Sequence, residues 1–100
     1  MALTPEVKVK RVVTAQLKAL GAYYFYPVSG GYGMSGVPDI VGCYDGKMFG
    51  IECKAGRNKP TELQQSNLDR IQRCGGIALV INETNMHTVT DILTGKGAMA

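Results

Sequence analysis

Three charged residues, Asp39, Glu52 and Lys54, stand in the stretch VPDIVGCYDGKMFGIECK (Val37 to Lys54), which otherwise reads as apolar strand. Two carboxylates and an ammonium in one place are the groups that phosphodiester hydrolysis uses. The carboxylates hold a divalent cation, and the ammonium orients water and offsets charge building on the phosphate oxygens. Oxygen donors without histidine partners suit Mg²⁺, with Mn²⁺ as a substitute, rather than Zn²⁺. Taken singly, each half has a plain structural reading: aspartate after proline is a common turn residue, and Glu-x-Lys is a common solvated strand face. The chemistry depends on the fold bringing the halves together.

Asp45-Gly46 supplies that fold locally, because an Asp-Gly pair between apolar runs is a strong signal for a two-residue hairpin. Strands are expected at Asp39 to Tyr44 and Lys47 to Lys54. A two-residue loop sets Tyr44 opposite Lys47, and counting outward sets Asp39 opposite Glu52. That pair falls in the non-hydrogen-bonded class, with Cα atoms about 4.5 Å apart. Lys54 shares the face of Glu52 through the period of two, and Cys53 points the other way. Two opposed carboxylates repel unless a cation or a proton lies between them.

The flanking elements follow from start and stop signals. Thr4-Pro5-Glu6 opens a first helix that Gly21 closes, with Val9, Val13, Leu17 and Leu20 as its apolar stripe and Glu6 near the centre of that stripe. Ala22 to Val28 is an aromatic strand near a sheet edge, and Ser29 to Gly36 is a glycine-rich loop matching neither a P-loop nor a dinucleotide fingerprint. Thr61 and Gln64 form the capping box of a second helix, with Leu68, Ile71 and Cys74 inward and Gly75-Gly76 at its end. Ile77 to Asn82 reads as a buried strand, and a short helical pattern runs from Asn85 to Leu93. The order is α-β-β-β-α-β-α, an α/β class.

At 100 residues and 45% hydrophobic content, the chain fits one domain over residues 1–100. The amino-terminal MALTPEVKVKR lacks a signal-peptide core and no apolar run is long enough to span a bilayer, so the expectation is a cytoplasmic protein without a membrane partner. Cys43, Cys53 and Cys74 show no C-x-x-C spacing and read as small buried hydrophobes rather than a disulfide set or zinc site. The formal charge is only +3. With Glu6, Asp39 and Glu52 committed to a cation, however, eleven basic side chains face five acidic ones. Lys8, Arg11, Arg57 and Lys59 are then plausible phosphate contacts, joined by Ser29 in the glycine loop. The single histidine, His87, lies far along the chain and reads as non-catalytic.

On these residues the chain resembles the PD-(D/E)XK nucleases, with Pro38-Asp39 and Glu52-Cys53-Lys54 in the positions of that motif. The runs GVPDIVG, FGIECKAGRNKPTELQQ and RCGGIALVI are similar to the VRR-NUC (virus-type replication-repair nuclease) domain and to archaeal Holliday-junction resolvases of the same superfamily. The resemblance extends from about Thr4 to Ile81. It implies a restriction-endonuclease-like core (αβββαβ) with a mixed central sheet flanked by helices. It also implies a Mg²⁺-dependent DNA endonuclease acting on branched DNA such as four-way junctions, and a homodimer with two sites. Carried over residue by residue, Asp39, Glu52 and Lys54 are catalytic, Gln64 supports the substrate or Lys54, and Glu6 completes a metal environment that takes in Asp39, Glu52 and Cys53. The Ile51 carbonyl adds a backbone donor. Cys53 replaces the apolar residue usual there. Two other readings compete: a non-catalytic DNA-binding or assembly module keeping the fold, and a restriction-type endonuclease.

Overall fold

The computed structural model describes residues 3–28 and 35–96. The elements are α1 (Pro5–Leu20), β1 (Tyr23–Phe25), β2 (Ile40–Tyr44), β3 (Lys47–Cys53), α2 (Glu62–Arg73), β4 (Ile77–Ile81), a 3₁₀ turn (Met86–Thr88) and α3 (Val89–Thr94). They make an α/β fold around a mixed four-stranded sheet in the order β1-β2-β3-β4. β1, β2 and β3 are antiparallel neighbours, and β3 and β4 run parallel through the α2 crossover.

The local signals act where they were expected. Thr4 caps α1 by accepting the Val7 N–H at 3.2 Å, and Gly21 ends the helix in the left-handed region at φ 75°. Asp45 and Gly46 take φ values of 51° and 80°, the positive pair a type I′ hairpin turn requires, so Tyr44 pairs with Lys47 and Ile40 with Ile51. The ladder stops at Ile40 rather than Asp39. In the same register Pro38 stands opposite Cys53 and has no N–H to donate. The Cys53 N–H goes instead to the Asp39 carboxylate, Oδ2, at 2.8 Å.

One face of the sheet carries the core. Phe49, Ile51 and Cys53 of β3, with Ile40 and Ile81, pack against Val9, Val13 and Leu17 of α1 and Val89 and Leu93 of α3. Gln16 ties α1 to the last elements: its amide donates to the Met86 carbonyl at 2.6 Å, and its oxygen accepts the Thr90 N–H at 3.1 Å. On the opposite face α2 crosses Gly50. A Cβ there would lie 2.6 Å from Ile71 Cδ1 and 3.0 Å from the Pro38 ring, so glycine admits both neighbours.

Three expectations change. β4 is an edge strand and only half-buried over Ile77–Val80, because an uninterrupted apolar run signals burial but not sheet order. Cys43 is exposed on the part of β2 beside edge strand β1, and Cys74 is exposed as the C-cap of α2, past the last turn that packs on the sheet; of the cysteines only Cys53 is buried. The first strand is shorter than Ala22 to Val28, pairing only from Tyr23 to Phe25.

Candidate active site

Asp39 and Glu52 face each other just past the end of the β2–β3 ladder, each holding backbone of the other's strand. The Asp39 N–H donates to Glu52 Oε1 at 3.2 Å, while Asp39 Oδ2 accepts the Cys53 N–H. This reciprocal brace fixes two carboxylates side by side without a third strand. Glu52 is a buried acidic residue, 1% exposed. Lys54 follows on the same face, and its ammonium lies 3.1 Å from Glu52 Oε2. Its own backbone is anchored separately, with the Lys54 N–H donating to the Ile81 carbonyl at 2.9 Å.

Burial raises the Glu52 pKa above the ordinary carboxylate value, and the neighbouring charge of Asp39 raises it further. The Lys54 ammonium and the Asp39 N–H oppose that shift without cancelling it. With two carboxylates and one ammonium, the ionised cluster is an anion short of one positive charge. Two carboxylates completed by water and phosphate oxygens are a donor set Mg²⁺ accepts, so the residues present fit a hard divalent cation.

The other expected ligands stand differently. Among the described residues no three His, Cys, Asp or Glu side chains gather closely enough to share an ion, so Glu6 does not join Asp39 and Glu52 in one cluster. Glu6 is half-buried on α1, and both its charge and that of Lys10 are felt by the Cys53 thiol. The Cys53 side chain lies in the core; burial, then the charge of Asp39, pushes its thiol up to about 12, which holds it protonated. What Cys53 offers the site is its backbone N–H. Ile51 pairs with Ile40 in the ladder, with its side chain in the core.

Gln64 occupies the third position of α2, and its side-chain oxygen accepts the Thr61 N–H at 2.9 Å in the expected capping box. Its carbonyl is thereby committed to the helix end, which leaves the amide N–H groups as donors for a substrate oxygen and no acceptor for the Lys54 ammonium. Arg57 and Lys59 are exposed in the segment after Lys54, and Lys8 and Arg11 are exposed on α1. Ser29 lies outside the described residues. His87 is exposed in the 3₁₀ turn.

Sequence reasoning missed Glu83. Its carboxylate accepts the Gly56 N–H at 2.9 Å, which lowers its own pKa and tethers the segment bearing Arg57 and Lys59 to the end of β4. The partners are 27 positions apart, and no local pattern marks such a bond. No helix among the described residues is long and apolar enough to cross a membrane. The chain matches no protein-family model, and no curated protein matches it.

Proposed function

We propose that the chain is a Mg²⁺-dependent endonuclease of the PD-(D/E)XK type, close to VRR-NUC domains, that hydrolyses DNA phosphodiester bonds. The observation that carries this reading is the Asp39–Glu52–Lys54 cluster: two braced carboxylates on one face with an ammonium 3.1 Å from the buried one. The order of elements and the mixed sheet with helices on both faces support the same reading. Asp39 and Glu52 would hold the cation, which when bound supplies Lewis-acid polarisation of the phosphate and acidifies a water. Lys54 places a positive charge where the phosphate oxygens gain negative charge in the transition state. Gln64 offers its amide N–H groups to a substrate oxygen, and Arg57, Lys59, Lys8 and Arg11 bind the phosphate backbone without reading bases.

Branched DNA is the proposed substrate, with two copies of the chain presenting two equivalent sites to paired strands. The test is incubation of the purified chain with end-labelled four-way junction, fork, flap and linear duplex, with and without Mg²⁺. Cation-dependent cutting that favours the junction is the expected result, together with a particle of about twice 10.7 kDa in light scattering. Binding without cutting on every substrate would identify a non-catalytic DNA-binding module instead. Cutting confined to one linear sequence would identify a restriction-type enzyme.

A further inference from the structure

We propose that Lys54 is the site's built-in counter-ion, holding Glu52 until a divalent cation displaces it. The displaced ammonium is then the one that turns to the phosphate. The inference rests on the nuclease reading only in requiring that a divalent cation bind Asp39 and Glu52.

Both Glu52 oxygens are occupied by protein donors, Oε1 by the Asp39 N–H at 3.2 Å and Oε2 by the Lys54 ammonium at 3.1 Å. The Glu52 side chain is 2% exposed and that of Lys54 14%, so neither water nor salt readily replaces the contact. Each oxygen keeps a second lone pair, but a cation placed at Oε2 would stand beside the ammonium 3.1 Å from that same atom, and the repulsion between two positive groups on one oxygen favours one occupant over both. The Asp39 N–H belongs to backbone at the strand entry and is fixed, whereas the ammonium is the end of a flexible four-carbon stem.

The Lys54 backbone is held by its bond to the Ile81 carbonyl at 2.9 Å, so the head can swing without disturbing the strand. Exchange of one positive group for another keeps Glu52 compensated throughout. The cation need only outcompete Lys54; it does not meet a bare buried charge. By linkage, whatever strengthens the Lys54–Glu52 contact weakens cation binding by the same factor.

The test is calorimetric titration of the full chain with Mg²⁺ and with Mn²⁺, without DNA. Lys54→Met, which keeps the stem and removes the charge, should bind the cation about tenfold more tightly than wild type when both are titrated at mildly alkaline pH, where a proton does not take the ammonium's place on Glu52; the gain is on the scale of one charge-assisted hydrogen bond. Lys54→Arg keeps the charge and should gain nothing. Lys54→Gln serves in place of the methionine variant if that variant does not fold. In wild type, the ¹⁵N resonance of the Lys54 ammonium should shift as Mg²⁺ saturates. Equal affinities for wild type and Lys54→Met would overturn the counter-ion role while leaving the cation site standing. Absence of binding by wild type and by both neutral variants would instead remove the cation site and the nuclease reading with it.

Discussion

The two faces of β3 are built from the same strand and do opposite work. Phe49, Ile51 and Cys53 are fully buried and meet α1 and α3 in an apolar core. Gly50, Glu52 and Lys54 alternate with them and look toward the α2 side, where burial is as deep at Glu52 but ends in charge. The first face is held by area removed from water, which tolerates no lost volume. The second is held by three directed contacts around two carboxylates. Substitution on the first face should therefore change stability, and on the second it should change chemistry.

The largest separation is expected from the acidic pair. Asp39→Asn and Glu52→Gln should each lower cation-dependent cleavage by at least about a thousandfold, because each removes an anionic donor from a set of only two. Both should keep their far-ultraviolet circular dichroism and melt no lower than wild type without metal. Each amide still accepts the N–H that its carboxylate accepted, and the repulsion between the pair is gone. Loss of the folded spectrum in both variants would make the pair structural and erase the contrast between the faces.

Ile51→Ala, one residue from Glu52 on the other face, is the complementary test. It should cost about 2–5 kcal/mol in urea denaturation, the range for truncating a buried aliphatic side chain. Cleavage per folded molecule should stay near wild type below the transition. A large fall in cleavage at full folding would mean the faces are coupled through the strand.

How far the sequence reveals this arrangement depends on the range of each signal. The hairpin register, the two helix caps and the shared face of Glu52 and Lys54 are set by residues within a few positions of one another, and Asp45-Gly46 alone aligns Asp39 with Glu52. Position in the sheet is not local: the apolar run Ile77–Ile81 looks the same in a central or an edge strand, and the structure puts it at the edge. Cys43 alternates correctly for a strand, yet its exposure depends on how far α2 reaches across the sheet. Glu6 lies on the apolar stripe of its helix, but whether it reaches the carboxylates depends on how α1 docks, and it does not join them. The Glu83–Gly56 bond has no sequence signature at all.

A smaller effect should come from the basic residues beside the site. Arg57→Ala and Lys59→Ala change exposed side chains and should leave urea midpoints within error. If both contact phosphate, each should lower the slope of log affinity against log salt by about 0.7–0.9 in fluorescence-anisotropy titrations. An unchanged slope in either variant removes that residue from the DNA surface.

The smallest predicted effect isolates the electrostatic cost of placing Glu52 where a core residue stands on the other face. Its folded pKa is raised, chiefly by burial and next by Asp39, so the native chain holds this proton more tightly than the unfolded chain does. The contribution to stability is then fully present below the ordinary carboxylate pKa and is lost as pH rises through the raised folded value. Glu52→Gln cannot ionise and lacks that loss. In metal-free buffer its melting temperature should match wild type at the acidic end and exceed it by a few degrees near neutrality. Added Mg²⁺ should close the gap by raising wild type alone, since binding to the native state stabilises only the form that binds. Parallel pH profiles for the two proteins would show that the Lys54 contact offsets the burial of Glu52 completely, and the charged face would then cost the fold no more than the apolar one.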